Sequence, residues 1–271
     1  MEKRKKAVWP WVVLGAVVVG GAGWWLFQDD VAQLRNAAGE VAAPSTAPAA
    51  PAAASSVKPA QPAAPQYPLD AAADPALPAL ADSDGSAWES AGGLFPAQVL
   101  SVLLREHLIQ RVVVHVDNLT QPTLPASAMA LRPLPGTLMV EPGAGEAAQL
   151  AAANAARYSP WVDAFSAADA GAVAAAYKRF YPLVQQAYRD SGHPDGHFND
   201  RLVAVIDHLL QTPEPARPLA VVADGKGRYR FVDPALQSLS VGQKALLRMD
   251  AAQQGAVKQQ LRAVRAAITR G

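Results

Sequence analysis

The pattern of apolar and polar positions begins with an uninterrupted apolar run that has no polar face. Residues 7–27 contain no charged side chain. As a helix rising about 1.5 Å per residue, they would extend roughly 30 Å, the thickness of a bilayer's hydrocarbon core. Trp9 and Trp11 lie at one end and Trp24 and Trp25 at the other, and indole rings favour the headgroup level. The pattern predicts a single transmembrane helix over residues 7–27, with the lipid bilayer as its partner.

The charges on the two sides of this run differ in sign. Residues 3–6 are all basic, whereas Asp29 and Asp30 follow the run. The positive-inside rule predicts that residues 1–6 form a cytoplasmic tail and that the rest of the chain lies on the other side of the membrane. A cleaved signal peptide also begins with a basic region, but this run is long for its apolar core. We expect an uncleaved anchor.

Behind the run the pattern loses its periodicity. Between residues 42 and 68, 18 of 27 residues are alanine or proline, and Lys58 is the only charged one. Such a composition buries too little apolar surface to fold. We predict that residues 28–68 form a disordered, Ala/Pro-rich tether and that residues 69–271 form one compact domain.

Helical spacing dominates the first part of this domain. Ser86 and Glu89 have the spacing of a capping box and predict the start of a short helix. Residues 95–119 are predicted as a helix, although the β-branched residues 112–116 leave a strand open as the alternative. Scattered prolines and glycines predict an extended loop over residues 120–158.

A long helix is predicted to begin at the pair Ser166 and Asp169 and to carry an apolar stripe. Proline removes a backbone donor and clashes with the carbonyl four residues earlier, so Pro182 is expected to kink or break this helix. The stripe repeats at helical spacing and predicts a face toward the core. It consists of Tyr177, Tyr181, Val184 and Tyr188.

The last third of the chain carries the clearest start and stop signals. A glycine- and proline-rich turn at 192–196 precedes a predicted helix with Phe198, Leu202, Val205 and Leu209 on one face. Residues 219–222 and 229–232 predict a small β-hairpin. Two capping signals open the last two helices; they are the pairs Ser240/Gln243 and Asp250/Gln253. The fold class is therefore mostly α, with a minor β-hairpin.

Charge is distributed unevenly along the domain. Residues 69–214 hold 8 basic and 16 acidic side chains, and residues 215–271 hold 10 basic and 3 acidic ones. The basic tail either pairs with the acidic body or forms a patch for an anionic envelope polymer, a lipid headgroup or an acidic envelope protein. Nucleic acid is not expected outside the membrane. The candidate patch residues are Arg228, Arg230, Lys258, Arg262 and Arg265.

Candidate chemistry is concentrated in residues 193–208. His193 and His197 flank a Pro-Asp-Gly turn and are a weak alternative metal site, because the turn prevents both rings from sharing a helical face. Asp200 and Asp207, with His197, are weak candidates for an acid–base site. The alternative is that these charges join the helix to its neighbours. The chain has no cysteine, which excludes thiol catalysis, and it has no recognised nucleotide or cofactor motif. No cofactor is expected.

Several stretches resemble a bacterial envelope family known as domain of unknown function 3014. They are residues 177–182 (YKRFYP), 186–188 (QAY), 198–210 (FNDRLVAVIDHLL), 229–234 (YRFVDP) and 242–249 (GQKALLRM). The likeness covers most of residues 75–268, and it implies a single-pass, N-terminally anchored protein with an Ala/Pro tether. It implies no activity.

The expected function is therefore to display a folded domain on the outer side of the inner membrane. We expect a single-pass protein of the bacterial inner membrane that displays a non-catalytic binding or scaffolding domain in the periplasm. The alternative is an envelope hydrolase or metal-dependent enzyme with its site around residues 193–208. The sequence leaves the oligomeric state and the partner open.

Overall fold

The computed structural model describes residues 64–70, 74–125, 128–145, 147–225 and 228–270. The predicted transmembrane helix and most of the predicted tether lie outside these ranges. Among the helices of the described ranges, none combines the length and the hydropathy that a bilayer crossing requires.

Three helices occupy the first part of the domain, and their boundaries differ from the predicted ones. They are α1 (Asp84–Gly92), α2 (Ala97–Leu100) and α3 (Leu108–Asn118). Ser86 therefore lies inside α1 and does not open it. The predicted single helix over residues 95–119 is wrong, because the chain leaves helical geometry between α2 and α3. The β-branched residues 112–116 are helical, as predicted.

The break before α3 has a long-range cause. His107 adopts the left-handed conformation, with φ at 52°. The Asp84 carboxylate accepts hydrogen bonds from the backbone N–H groups of His107 and Leu108, at 2.8 Å each. These bonds satisfy donors that the first turn of α3 leaves free. A side chain 23 residues upstream thus fixes where α3 begins.

Four short strands form one antiparallel sheet in the order β1-β2-β3-β4. The strands are β1 (Val140–Pro142), β2 (Ala148–Leu150), β3 (Ala220–Ala223) and β4 (Tyr229–Phe231). The predicted hairpin is confirmed as β3 and β4. The predicted loop over residues 120–158 is wrong at β1 and β2, since strands of three residues are too short to show alternation. It is also wrong at residues 154–158, which form the first turn of the next helix.

Two long helices follow the second strand, α4 (Asn154–Ala167) and α5 (Ala170–Asp190). Ser166 belongs to α4, and Asp169 alone caps α5, accepting from the N–H of Ala172 at 2.6 Å. The predicted break at Pro182 is wrong, because α5 is continuous through it. The stripe predicted for the core is confirmed: Tyr177, Val184 and Tyr188 are buried.

The remaining helices begin close to where the capping signals place them. They are α6 (Phe198–Leu210), α7 (Pro234–Gln237), α8 (Val241–Leu247) and α9 (Ala251–Thr269). Both predicted capping boxes are present in full, one opening α8 and the other opening α9. In each, the cap side chain accepts from the third helical N–H and the glutamine returns the bond.

The core has two main parts. In the larger one, α9 packs against α4, α5 and α6, and α3 packs against α5 and α6. The smaller one lies beneath the sheet and joins it to α7 and α8 through Phe231, Leu236 and Leu247. The described chain is thus a mostly helical domain with a small antiparallel sheet, and the junction of α8 and α9 lies close to the sheet.

Candidate functional site

The two histidines of the predicted site have separate surroundings. The His193 ring stacks on Tyr188 at 4.3 Å between centroids. Its Nε2 lies 3.7 Å from the carboxylate of Asp117. His197 occupies the N-cap position of α6, and its side chain makes no capping hydrogen bond. Within the described ranges, no three acidic or histidine side chains lie close enough together to hold a metal ion.

The two aspartates of the predicted acid–base site bind different partners. Asp200 accepts from the backbone N–H groups of Gln66 and Tyr67, at 2.9 and 2.8 Å. Asp207 accepts from both ends of the Arg265 guanidinium, at 2.6 and 2.8 Å. Hydrogen bonding to Asp207 raises the pKa of Arg265. Each carboxylate is thus satisfied within the protein, and the structure does not bring the two together at one reacting position.

Asp200 belongs to a small set of side chains that holds the segment ahead of the domain. The Asn199 amide donates to the carbonyl of Tyr67 at 2.8 Å. The Arg265 guanidinium lies 5.9 Å from the Tyr67 ring, and Tyr67 packs against the helical core. We name this arrangement of Asn199, Asp200 and Arg265 around Tyr67 the clasp. The clasp attaches Gln66 and Tyr67, which were predicted to belong to the tether, to helices α6 and α9.

Three of the five residues predicted as a basic patch have acidic partners. Arg228 pairs with Asp224 at 2.8 Å. Lys258 is buried and pairs with Glu214 at 2.6 Å, which lowers the pKa of Glu214. Arg265 pairs with Asp207 in the clasp.

Arg230 and Arg262, the remaining two patch residues, are exposed on β4 and α9. Two of the acidic partners, Glu214 and Asp207, belong to the acidic part of the chain. Two of the five predicted patch residues therefore pair with the acidic part of the chain.

A serine and a histidine meet where α6 ends and α8 begins. Ser240 Oγ lies 2.8 Å from Nε2 of His208, a distance at which a histidine can activate a hydroxyl. However, the same Oγ accepts from the N–H of Gln243 as the cap of α8. Ser240 is buried, and burial lowers the pKa of His208. The contact joins two helices, and no carboxylate of the described residues binds the other ring nitrogen.

A cleft of about 370 Å³ lies between the sheet, the start of α4 and the junction of α8 and α9. Its apolar walls include Leu150, Pro218, Leu219 and Met249. Its charged lining consists of two basic and two acidic residues, namely Arg217, Arg248, Glu141 and Asp250. Neither arginine was among the site residues predicted from the sequence.

Arg248 is a buried guanidinium to which the described residues supply no acidic partner. Its Nη1 donates to the carbonyl of Lys244 at 3.1 Å, and its Cζ lies 5.8 Å from the Phe231 ring. No carboxylate of the described residues lies within ion-pair distance of it. Burial lowers the pKa of Arg248 to about 10, so the group remains charged at neutral pH.

Arg217 reaches the same cleft from the segment ahead of β3. It donates to the carbonyl of Leu247 at 2.8 Å and to Oε1 of Gln254 at 2.7 Å. Burial lowers its pKa, and the charge of Asp250 opposes that shift. Arg217 and Arg248 therefore both bind carbonyls near the C-terminus of α8, where the helix dipole favours positive charge.

The lining determines which chemistry the cleft can support. It contains no serine, threonine, cysteine, histidine or lysine side chain. Of its two carboxylates, Asp250 caps α9 by accepting from the N–H of Gln253 at 2.7 Å, and Glu141 is exposed on an edge strand. Within the described lining, these two carboxylates are the only side chains that could act as a nucleophile or an acid–base group.

The clasp, the capping boxes and both arginines of the cleft lie close to or within the region matched by a family model. That model, described as protein of unknown function (DUF3014), matches residues 108–265. The chain belongs to this family. The DUF3014 match includes Arg217, Arg248 and Asp250 but not the segment held by the clasp. Comparison with curated proteins and with solved structures gives no match.

Proposed function

We propose that this DUF3014 protein is a membrane-anchored binding protein. A single helix over residues 7–27 holds it in the bacterial inner membrane, and residues 28–68 link that helix to a non-catalytic domain in the periplasm. The cleft beside Arg248 is its binding site. The domain holds a small ligand or an exposed group of an envelope partner.

The composition of the cleft is the observation that carries this proposal. Arg217 and Arg248 both line one apolar-walled cavity, and its described lining has no serine, threonine, cysteine, histidine or lysine side chain. Pockets of this kind, mostly apolar with a few polar groups in fixed positions, are typical of ligand sites. The alternative enzyme site at residues 193–208 has no comparable support, because Asp200 and Asp207 bind different partners.

The apolar run and its flanking charges support the membrane part of the proposal. A fusion of alkaline phosphatase behind Gly271 tests it, because this enzyme is active only outside the cytoplasm. We expect an active phosphatase fusion and a dark fluorescent-protein fusion at the same position. The reverse pattern, with a bright fluorescent protein and silent phosphatase, would overturn the proposed topology.

In-cell photo-crosslinking tests the binding part. Ala152 is exposed and lines the cleft, so a photoreactive amino acid placed there should capture whatever enters it. Ala175 is an exposed alanine of α5 outside the cleft and is the matched control. We expect an adduct at position 152 that disappears on adding Arg248→Met, and none at position 175. Identical products at both positions, or products unaffected by Arg248→Met, would contradict a site in the cleft.

A further inference from the structure

We propose that the cleft recognises a ligand that carries a single carboxylate on an apolar body. The carboxylate binds Arg248 and Arg217, and the apolar body lies against the walls formed by Leu150 and Leu219. This inference rests on the proposed binding function and specifies the chemistry of its ligand.

Arg248 has no counter-charge among the described residues. Removing a guanidinium from water is costly, so buried arginines are normally paired. Arg201 pairs with Asp117 and Arg228 with Asp224. Arg248 is only 6% exposed, and the described residues provide it with one carbonyl and no carboxylate. A bound anion would supply the missing partner.

Both arginines keep N–H donors that the described residues do not use. A guanidinium has five N–H donors in a planar fork. Arg248 uses Nη1 for a single backbone bond, which leaves donors on its other nitrogens for a ligand. Arg217 commits Nη1 and Nη2 to protein acceptors and retains Nε. A planar carboxylate matches such a fork through two parallel hydrogen bonds.

The charges of the cleft lining distinguish a carboxylate ligand from a phosphate. Glu141 and Asp250 line the same cleft as the two arginines. The two positive and two negative charges of the lining sum to zero, so a second negative charge on the ligand gains no net Coulomb attraction and adds a desolvation cost. One negative charge is enough to pair with the otherwise uncompensated Arg248, and the lining therefore favours a ligand with one. Glu141, exposed at the edge strand, also provides an acceptor for an amino or amide N–H of the same ligand.

The volume of the cleft limits the size of the ligand, and the carboxylate can come from two sources. A cavity of about 370 Å³ lies at the small end of ligand pockets and holds a short acid or one to three small residues. The carboxylate belongs either to a free small acid or to the C-terminus of a peptide. Both present the same group to Arg248, and blocking a peptide's C-terminus distinguishes them.

Isothermal titration of the purified full chain in detergent tests the proposal with four probes. They are hexanoate, the tripeptide Ala-Ala-Ala, its C-terminal amide, and inorganic phosphate. We expect heat of one-to-one binding from hexanoate or from the free tripeptide, and none from the amide or phosphate. Binding of hexanoate alone identifies a free acid as the source, and tighter binding of the tripeptide identifies a peptide end.

Three variants locate the binding. Arg248→Met should lower the affinity for the acid about ten-fold or more, which is the usual effect of losing a charge-assisted hydrogen bond. Ala152→Phe fills the cleft from its exposed wall and should abolish binding without removing a buried group, which keeps the test decisive if Arg248→Met fails to fold. Ala175→Phe adds the same ring outside the cleft and should bind like the wild type.

Four results would overturn the inference: no acid binds at millimolar concentration, the tripeptide amide binds as well as the acid, phosphate binds as well as either acid, or Ala152→Phe leaves binding unchanged. If position 152 still yields an Arg248-dependent crosslink in cells, the proposed binding function stands and only the carboxylate is wrong. If acid binding in the titration and the Arg248-dependent crosslink in cells are both absent, the cleft is not a binding site.

Discussion

Burial affects two ionisable side chains of the domain with opposite results at neutral pH. Burial lowers the pKa of His115 to about 4, which leaves the imidazole neutral. Burial also lowers the pKa of Arg248, but only to about 10, and the guanidinium keeps its charge. The difference follows from the ordinary pKa values of the two groups. His115 is thus part of the core, whereas Arg248 retains a charge that can attract an anion.

The neutral state of His115 makes stability depend on pH. Its pKa is near 6.5 in the unfolded chain and about 4 in the folded one, so the unfolded state binds more protons between these values. The contribution of His115 is complete above pH 6.5 and is lost as the pH falls toward 4. We expect wild type to lose about 2 kcal/mol more unfolding free energy than His115→Leu between pH 7 and pH 5.

Urea unfolding at several pH values measures this difference. The His115→Leu variant lacks the titrating ring at the same buried position, so its stability should fall less steeply over the same range. Parallel curves for the two proteins would show that His115 does not titrate in this window. A steeper curve for the variant would contradict the sign of the shift.

At the residue scale, the sequence was informative where a partner is close along the chain. The capping boxes at Ser240 and Asp250 were predicted correctly, because each cap and its partner lie three residues apart. The same spacing at Ser86 and Ser166 was misleading, since both serines lie inside helices. Asp84 caps α3 from 23 residues away, and no local pattern shows such a bond. Arg248 interrupts a buried apolar stretch, a signal that could have identified it as a charged group with a special environment.

At the scale of elements, two glycines inside helices have opposite surroundings. A Cβ on Gly242 in α8 would lie 2.9 Å from the carbonyl oxygen of Leu119 and 2.6 Å from Cδ2 of Leu209. A Cβ on Gly255 in α9 would meet no atom within 4 Å. The first glycine permits a close approach between α8 and the end of α3, and the second occupies an open helical position.

These surroundings predict opposite effects of the same substitution. Gly242→Ala should lower the free energy of unfolding by about 1–3 kcal/mol, because the backbone carbonyl of Leu119 would have to move. Gly255→Ala should raise it by about 1 kcal/mol, the difference in helix propensity. Chemical denaturation of both variants beside wild type measures the pair. Equal shifts, or stabilisation by Gly242→Ala, would contradict the close contact.

The elements that the sequence missed share a physical reason. β1 and β2 are three residues long and mostly exposed or half-buried, so their residues show no apolar alternation. β1 pairs with β2, and β2 also pairs with β3, which lies far along the chain. Only this pairing in the folded structure defines the two strands. Pro182 did not break α5, because the buried stripe around it holds the helix on both sides. Tertiary packing there outweighs a local preference.

At the scale of the whole molecule, the clasp determines where the upstream chain meets the domain. Asp200 accepts from two consecutive backbone N–H groups, at Gln66 and Tyr67. Asp200→Ala should release this segment, and we expect the two amides to exchange hydrogen at least ten-fold faster. Hydrogen-exchange mass spectrometry of peptides covering residues 64–70 measures the change.

Asp195→Ala is the matched control for this prediction. Asp195 is an exposed carboxylate just ahead of α6, and none of the described contacts of the clasp involves it. Its variant should leave exchange at Gln66 and Tyr67 as in wild type. Unchanged protection in Asp200→Ala would show that the Asn199 hydrogen bond and the packing of Tyr67 are enough to hold the segment.

The same long helix carries the clasp near its last turn and the cleft beside its first. Arg265 and Asp250 are 15 residues apart along α9 and its cap, a separation of about 22 Å. At physiological ionic strength the field of a charged surface decays over about 8 Å. If the proposed anchor brings the clasp to the bilayer surface, a separation of this size would largely screen phospholipid charge at the arginines. Ligand affinity should then be independent of whether the surrounding lipid is anionic or zwitterionic.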